Sequence, residues 1–409
     1  MHKRVTLRLV LAGLVFLTGC RDSPNTPVEP GPPALLVPTA GNNQSAPANT
    51  QLTQPIRLAV QDANGITLGA GHTVSFAIVL GGGSIVGSAT ATSDANGTVT
   101  APGWRLGKSA VPQRMTATLG GIVRQIDATV ATQYDIVVRY FGDPMTPANQ
   151  ALFENAAARL EAIITGDVVN AQATNADLND FCNTTGLPTL NEEIDDIIIY
   201  AAITSIDGSG STLAQATPCV GRNTPVGTMV AAGMMKFDAA DFGSLAAGGN
   251  IQEVITHEML HVLGSGTLWE TDRALISGKG GADPRFLGNL ARQACVAFGG
   301  TVTCASSVPL ADVGSPGTRD FHWRESVFGN ELMTGLLNNG VNPLSSMTTA
   351  SMADLGFVVN NAANDDFIFS GATQMSLTSA ALSNPTWEQL GILRGMLLPG
   401  GRVQRITPK

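Results

Sequence analysis

Apolar and polar residues alternate with a period of two through much of residues 36–133, which is typical of strands buried on one face. The clearest case is Thr73–Leu80, and similar short segments separated by turn residues lie on both sides of it. The tetrapeptide Asp-Ala-Asn-Gly occurs at Asp62–Gly65 and again at Asp94–Gly97, and Asn-Gly is the strongest short signal for a β-hairpin. We therefore predict an all-β sandwich over residues 36–133.

Residues 134–409 mix strand-like and helix-like patterns, which predicts an α+β domain. Tyr134–Gly142 and Ile194–Gly208 are mainly apolar runs of strand length, and Thr146–Asp167 between them has apolar residues near helical spacing. Near the end of the chain, the segment TWEQLGILRGMLL predicts a further helix that begins after Pro385. The chain is thus expected to be multi-domain.

Another helix is predicted to begin at Asn250 and to end at Gly264 and Gly266. Asn250 with Glu253 three residues later gives a start that resembles a capping box. Glycine ends the helix because it accepts the left-handed conformation that a C-terminal turn needs. A stripe of apolar residues at helical spacing is expected to face the core, namely Ile251, Ile255, Met259 and Val262.

This helix carries the sequence His-Glu-x-x-His. His257 and His261 are four residues apart, so both imidazoles lie on one helical face and can bind one zinc ion, with Glu258 beside them as a general base. A chance match on a buried helix is the alternative, but only 5 of the 409 residues are histidines. His322 is the one candidate for a third histidine ligand.

Composition and charge narrow the class of protein. Of the 409 residues 44% are hydrophobic, which is ample for two or three domains with real cores. The formal net charge is -9, the pI is near 5.0, and no basic stripe occurs in the mature chain. These values argue against nucleic acid or an anionic membrane surface as a partner.

The start of the chain is predicted to be a lipoprotein signal peptide, residues 1–19. A basic segment precedes an apolar stretch too short to span a bilayer, and Leu17-Thr18-Gly19-Cys20 resembles a bacterial lipobox. Cys20 would be the acylated first residue of the mature chain, and residues 20–35 a Pro-rich tether. We therefore expect a lipid-anchored protein of the bacterial cell envelope, at the outer membrane or the cell surface. A plain secretory signal with an incidental Cys20 is the alternative.

Cysteine usage fits the same compartment. Without Cys20 four cysteines are left, and an even number in an exported chain indicates disulfides. Order and proximity favour Cys182 with Cys219 and Cys295 with Cys304, although four cysteines allow three pairings. A thiolate zinc site is the competing idea, but the chain has no Cys-x-x-Cys.

The zinc motif and its surroundings resemble the leishmanolysin-like branch of the metzincin zinc peptidases. The usual third metzincin ligand would fall at Thr267, a poor zinc ligand. Leishmanolysin-like enzymes instead have a long insertion before a His-Trp segment, which Asn-Glu-Leu-Met follows. This chain has His322 and Trp323, and then Asn330–Met333. The likeness covers roughly residues 134–360.

The resemblance implies one catalytic zinc ion bound by His257, His261 and His322. It also implies that Met333 is the methionine of the Met-turn, a hydrophobic floor under the metal, whereas an ordinary core methionine is the alternative. The segment Ser345–Phe357 is similar to the family's helix after the Met-turn.

Residues 36–133 resemble bacterial immunoglobulin-like domains of the invasin and intimin type. Such modules usually act as spacers. An adhesive role is the alternative, although nothing in the segment specifies a ligand.

Two functions of different classes follow. The first is a surface-anchored zinc endopeptidase that acts on protein or peptide substrates, in which Glu258 deprotonates a zinc-activated water. The second is a surface binding or adhesion protein that keeps a non-catalytic peptidase fold. Because the full catalytic set is present, we favour the enzyme. Calcium is undetermined, since Asp195-Asp196 and Asp365-Asp366 are as easily solvated turns as ligands.

Overall fold

The computed structural model describes residues 29–108, 110–210, 212–271, 273–314, 317–369 and 386–406. The predicted signal peptide, the predicted acylation site Cys20 and most of the predicted tether lie outside these ranges. In the part of the chain that is described, no helix has both the length and the apolar character needed to cross a membrane.

The amino-terminal part of the described chain is all-β. Its strands are β1 (Leu35–Ala40), β2 (Gln44–Ala46), β3 (Arg57–Gln61), β4 (Thr73–Leu80), β5 (Ser84–Val86), β6 (Thr90–Thr92), β7 (Thr98–Thr100), β8 (Gly103–Arg105), β9 (Gln113–Leu119) and β10 (Ile122–Val130). One sheet has the order β1-β3-β7 and a second has β2-β10-β9-β4-β6, while β5 pairs with β8.

The two larger sheets share one interior. Leu58 of β3, Phe76 of β4, Met115 of β9 and Ile126 of β10 are buried in the same hydrophobic cluster. In β4 the buried residues alternate with exposed ones along the first part of the strand, as the period-two pattern predicts. The predicted all-β region is therefore present, and its kinship with invasin-type domains stays a prediction.

Both Asp-Ala-Asn-Gly tetrapeptides form turns, as predicted. The N–H of Gly65 donates to the carbonyl of Asp62 at 3.1 Å, and the N–H of Gly97 donates to the carbonyl of Asp94 at 2.9 Å. In each turn the Oδ1 atom of the aspartate also accepts the N–H groups two and four residues later. The two turns are therefore held by the same side-chain geometry.

The rest of the described chain is an α+β region around a mixed sheet. Its elements are β11 (Ile136–Tyr140), α1 (Pro147–Glu161), β12 (Ala171–Gln172), β13 (Ala176–Asp177), α2 (Leu178–Cys182), β14 (Thr189–Leu190), β15 (Glu193–Ile194), β16 (Ile197–Thr204), β17 (Thr212–Thr224), β18 (Gly227–Asp238), α3 (Ala239–Gly248), α4 (Ile251–Leu263), β19 (Ile276–Ser277), β20 (Arg285–Phe286), α5 (Asn289–Ala297), β21 (Val308–Pro309), α6 (Glu325–Phe328), α7 (Ser346–Asp354), β22 (Thr386–Leu390), β23 (Gly395–Leu397) and β24 (Val403–Arg405). The main sheet has the order β11-β16-β18-β17-β23-β24, and β22 also pairs with β17.

The central strand β16 is buried on both faces. Ile197 and Ile199 belong to the cluster that contains α1 and α4, whereas Ile198 and Tyr200 belong to a second cluster on the other face with α2. Helix α4 packs on this sheet, with Val262 against Gly233 of β18, so the helix that carries the His-Glu-x-x-His motif has a rigid support.

The disulfide pairing favoured by the sequence is confirmed. Cys182 bonds to Cys219 and joins α2 to β17. Cys295, in α5, bonds to Cys304, which follows the helix. All four sulfurs are therefore in disulfides, so a zinc site built from these thiolates is ruled out.

The helix predicted after Pro385 is wrong, since this segment forms strands β22 and β23, both parallel to β17. The outer edge of β17 offers backbone N–H and C=O groups that a helix could not pair. Gly391 lets the chain come close to this edge, because its N–H donates to the carbonyl of Ala216 at 2.7 Å and a Cβ there would collide with Thr217.

The β region and the α+β region are in contact. The N–H of Ala110 donates to the carbonyl of Ala158 in α1 at 2.8 Å. The Nζ atom of Lys108 donates to the carbonyl of Asn364 at 2.6 Å, and the side-chain amide of Asn360 donates to the carbonyl of Ala48 at 3.1 Å. These contacts do not test whether each region folds on its own, so the predicted independence of the two domains stays a prediction.

Candidate metal and active site

Helix α4 carries the motif and begins where the sequence predicts, but without the predicted capping box. The side chain of Asn250 makes no capping hydrogen bond to the helix, and its backbone is already helical. The carboxylate of Glu253 accepts a hydrogen bond from the side-chain amide of Asn250 at 3.4 Å. It also accepts hydrogen bonds from the backbone N–H of Asn342, at 3.1 Å, and from the side-chain amide of Asn342, at 2.8 Å. Glu253 thus ties the start of α4 to a segment that follows Met333.

Three histidines meet at one point although the third is far along the chain. The Nε2 atoms of His257 and His261 are 3.0 Å apart, those of His261 and His322 are 3.1 Å apart, and those of His322 and His257 are 3.3 Å apart. All three side chains have no exposed surface. The three histidines that the sequence singles out are therefore brought together, in an arrangement that could hold a metal ion.

The other nitrogen of each ring faces a backbone carbonyl. The Nδ1 atom of His257 lies 2.7 Å from the oxygen of Leu332, that of His261 lies 2.7 Å from the oxygen of Ser265, and that of His322 lies 2.9 Å from the oxygen of Thr318. A carbonyl can only accept, so each Nδ1 carries the hydrogen. In neutral rings this leaves three Nε2 lone pairs directed at one point.

Three converging lone pairs repel one another unless a cation lies between them. For zinc with Zn–N bonds of about 2.0–2.1 Å in a tetrahedral arrangement, two ligand nitrogens are about 3.3 Å apart. The observed separations of 3.0–3.3 Å are close to that value. The histidine set therefore fits a zinc ion on geometry as well as on donor type.

The end of α4 determines how the third histidine reaches the site. Gly264 and Gly266 have φ values of 123° and 75°, as the sequence predicts for residues that end the helix. A Cβ at Gly266 would lie 2.5 Å from the carbonyl oxygen of Phe321, the residue before His322. A glycine is therefore needed where the two ligand-bearing segments pass each other.

Thr267 occupies the position of the usual metzincin third ligand but has another role. Its hydroxyl donates to the carbonyl of His261 at 2.7 Å. The side chain thus gives a second hydrogen bond to a carbonyl at the end of α4 that also accepts the N–H of Gly264 at 3.2 Å.

Met333 lies in a tight turn and is buried, with 1% of its surface exposed. The N–H of Thr334 donates to the carbonyl of Glu331 at 3.1 Å, which closes the turn, and the N–H of Trp323 donates to the carbonyl of Met333 at 2.9 Å. Since Trp323 follows His322, this turn is joined to the third histidine through the backbone. The position of the side chain of Met333 under a metal stays a prediction.

Glu258 follows His257 on α4, and its side chain also has no exposed surface. The carboxylate is therefore shielded from bulk water, as the three histidine side chains are. Its role as a general base stays a prediction.

Sequence reasoning did not assign a role to Glu331, although it lies in the Asn-Glu-Leu-Met run. Its side chain has no exposed surface, and burial raises the pKa of its carboxyl group, while hydrogen bonds from Ser345 and Thr348 act in the opposite direction. The sequence signal that could have indicated a role for Glu331 is a glutamate within a mainly apolar segment. Charged side chains are almost never fully buried unless they are paired.

Two of the four acidic residues considered for calcium, Asp196 and Asp365, are engaged in the fold. The carboxylate of Asp196 accepts the N–H groups of Asp135 and Val168, both at 2.8 Å, and burial raises its pKa to about 6. Asp365 forms an ion pair with Arg159 at 3.0 Å. The carboxylates of Asp135, Asp195 and Asp196 do lie close together, but this alone does not indicate a cation, and calcium stays undetermined.

The comparisons with known proteins bear on this site. A family model described as leishmanolysin, peptidase family M8, matches residues 172–381, which is just over half of the 409 residues. The chain belongs to the leishmanolysin family. The matched range contains the three histidines, Glu258 and Met333. Leishmanolysins are zinc-dependent metallopeptidases, which agrees with a buried histidine triad that could hold a metal.

Solved structures show only partial likenesses. The D0-D1 domain of intimin has 22% identity and a TM-score of 0.17, with 24% of this chain and 45% of that chain covered. Domains 4 and 5 of the S-layer protein SbsC have 10% identity and a TM-score of 0.19, with 24% of this chain and 51% of that chain covered. A glycosyl hydrolase family 2 member from Bacteroides cellulosilyticus has 18% identity and a TM-score of 0.20, with 25% of this chain and 14% of that chain covered.

This leishmanolysin-family chain thus spans at most about half of each of those three structures. TM-scores this low carry no argument about its fold or its function. No curated protein matches the chain.

Proposed function

We propose that this leishmanolysin-family chain is a zinc-dependent endopeptidase of the metzincin type that hydrolyses peptide bonds in protein or peptide substrates. The observation that carries the proposal is the convergence of the Nε2 atoms of His257, His261 and His322 to within 3.3 Å of one another in a fully buried site. Membership of a metallopeptidase family supports hydrolysis over a purely structural metal site.

The histidines are assigned as the three protein ligands of zinc. Hydrogen bonds from each Nδ1 to the carbonyls of Leu332, Ser265 and Thr318 fix the ring orientation and the tautomer, and such bonds raise the basicity of the other nitrogen. Three nitrogen ligands leave one tetrahedral position for water or substrate, which is the pattern of catalytic rather than structural zinc sites.

Glu258 is assigned as the general base. When bound, zinc supplies a Lewis acid that polarises the scissile carbonyl and lowers the pKa of a water to about 7. Glu258 lies next to His257 on α4 and is not one of the three ligands, so its carboxylate can accept the proton of the attacking water. The enclosure of this carboxylate strengthens its electrostatic interaction with a nearby cation.

A tyrosine is not the source of oxyanion stabilisation in this proposal. The chain has only three tyrosines. Tyr134 is buried in the core, the hydroxyl of Tyr140 donates to the carbonyl of Gln150, and the hydroxyl of Tyr200 accepts from Arg139. The metal itself and backbone donors are therefore expected to stabilise the developing negative charge.

The proposed location of the enzyme, at the bacterial cell envelope, rests on the sequence alone. The lipobox-like Leu17–Cys20 and the Pro-rich tether support a lipid anchor at Cys20 in the bacterial cell envelope. In this arrangement the β region acts as a spacer that holds the catalytic region away from the membrane. An adhesive role for the β region stays the alternative.

The deciding experiment combines metal analysis with a cleavage assay on the chain expressed without its signal peptide. Wild type should contain one zinc ion per chain and cleave a fluorescently labelled, denatured protein. Chelation should stop cleavage and added zinc should restore it. Glu258→Gln should keep the zinc while turnover falls about 10²- to 10⁴-fold, because the shape is kept and the basicity is lost.

Glu253→Gln is the matched control for that variant. It makes the same change on the same helix, at a carboxylate that is bonded to Asn342. Its turnover should stay near that of wild type. A zinc-loaded wild type that cleaves nothing in broad peptide libraries, or a Glu258→Gln variant as fast as wild type, would replace the hydrolytic mechanism with the surface-binding function.

A further inference from the structure

Glu331 is a buried carboxylate that joins the Met-turn to the start of α7. Its Oε2 atom accepts the N–H of Met333 at 2.6 Å. Its Oε1 atom accepts the hydroxyl of Ser345 at 2.6 Å, the N–H of Ser345 at 3.2 Å and the hydroxyl of Thr348 at 2.5 Å. One side chain with no exposed surface therefore receives four hydrogen bonds from two separate segments.

The direction of these bonds follows from the donors. The indole N–H of Trp323 can only donate, and it points at the hydroxyl of Thr348 at 2.7 Å. Thr348 must therefore give its single hydroxyl hydrogen to Glu331. The N–H of Met333 can only donate as well, so each carboxyl oxygen of Glu331 accepts at least one hydrogen bond.

The turn held by Glu331 also contacts the segments that carry two of the proposed metal ligands. The carbonyl of Leu332, between Glu331 and Met333, accepts the Nδ1 hydrogen of His257 at 2.7 Å. The carbonyl of Met333 accepts the N–H of Trp323, next to His322, at 2.9 Å. Any shift of the turn would therefore move the carbonyl that orients His257 and the backbone partner of Trp323, the residue after His322.

We propose that Glu331 is a positioning residue for the metal site, which sets the orientation of His257 and His322 by fixing the turn Glu331–Thr334. It touches neither substrate nor metal. The inference deepens the proposed function and rests on it, since a positioning role has meaning only if the histidines bind a metal.

Glu331→Gln tests this with little change of shape. An amide has one acceptor oxygen, and its NH₂ group would face either the N–H of Met333 or the hydroxyls of Ser345 and Thr348. A donor would then point at a donor inside the core, and the turn must move to relieve the conflict. Changes to groups that orient metal ligands typically cost about 10- to 100-fold in metal affinity, and we expect a loss in that range.

The measurement is a cobalt titration of the full mature chain, with zinc competition for the affinity. The visible absorption of bound Co²⁺ reports the coordination geometry, which a loss of general stability would leave unchanged. We expect Glu331→Gln to shift this spectrum and to weaken zinc binding at least tenfold. A spectrum identical to that of wild type with an affinity within twofold would overturn the positioning role.

Asp354→Asn is the matched control, because Asp354 ends the same helix α7. Its carboxylate accepts the N–H groups of Leu290 at 3.0 Å and of Ala291 at 2.9 Å in α5, away from the histidines. This variant should lower the thermal stability and leave the cobalt spectrum and the zinc affinity unchanged. A spectral change in Asp354→Asn as large as that in Glu331→Gln would contradict a specific role for Glu331.

A second pair of variants keeps the test decisive if Glu331→Gln does not fold. Thr348→Val removes the hydroxyl that lies between Trp323 and Glu331 and keeps the shape, and Thr348→Ser restores a hydroxyl. We expect the first to alter the cobalt spectrum and the second to recover it. Equal spectra for the two would overturn the inference, whereas a wild type that binds neither metal would overturn the proposed function and this inference with it.

Discussion

The carbonyl oxygen of Leu332 lies 2.7 Å from the Nδ1 atom of His257, although the two residues are 75 positions apart in the chain. The bond joins the turn Glu331–Thr334 to the first histidine of α4. Because the acceptor belongs to the backbone, the tautomer of His257 depends on the path of the turn and not on another side chain. The orientation of the His257 ring therefore depends on the position of this turn.

The third ligand is tested by His322→Ala. Two helix ligands make an incomplete zinc site, so the variant should lose zinc and all measurable peptide hydrolysis. Metal analysis measures the zinc content, and the cleavage assay measures the hydrolysis. His72→Ala, in the β region, is the matched control and should keep both properties. Full zinc content and activity in His322→Ala would mean that the third ligand is another residue.

The close passage at Gly266 is tested by Gly266→Ala. An alanine with φ near 75° is disfavoured by about 1–2 kcal/mol, and here its Cβ would also meet the carbonyl of Phe321 at 2.5 Å. We expect a lower free energy of unfolding in urea together with reduced zinc occupancy, because the residue before His322 must move.

Gly280→Ala separates the two causes. Gly280 has a similar φ of 69°, but a Cβ there would meet no atom within 4 Å. This variant should lose only the free energy of unfolding that the unfavourable φ costs, and it should keep its zinc. If both variants lost zinc equally, the contact between Gly266 and Phe321 would not be what positions the third histidine.

The domain organisation is tested by a chain that begins at Ala131. All three histidines follow this point, so the shortened chain should fold, bind zinc and cleave peptides. It loses the contacts of Lys108 and Ala110 with the α+β region, and we therefore expect a lower melting temperature than for the longer chain. Loss of zinc binding in a soluble shortened chain would show that the β region is part of the catalytic unit.

The anchor is tested by Cys20→Ser in the chain expressed with its signal sequence. Without a thiol at this position no acyl group can be attached, so the protein should move from the membrane fraction to the soluble extracytoplasmic fraction. Incorporation of a labelled fatty acid measures the same event directly. Ser23→Ala should stay with the membrane. A Cys20→Ser protein that is still acylated would contradict the lipobox interpretation.

The features of this protein that depend on short intervals in the chain could be predicted from its amino-acid sequence. The spacing of His257 and His261 is fixed by helical periodicity, and the two Asp-Ala-Asn-Gly turns are closed by atoms within five residues of each other. The disulfide pairs were also favoured correctly from order along the chain. In each case the partners are close in sequence or the geometry is set by one regular element.

Contacts between residues that are distant in the chain became visible only in the tertiary structure. Asn250 and Glu253 suit a capping box locally, yet Glu253 bonds to Asn342, which comes near only after the chain has folded. The segment after Pro385 has a helical pattern, yet it forms strands because β17 offers an edge whose hydrogen bonds outweigh a weak helical preference. His322 was suggested as a ligand by resemblance. Its position depends on the close passage of Phe321 at Gly266 and on the bond from Trp323 to Met333, because no local interval fixes a contact across more than sixty residues.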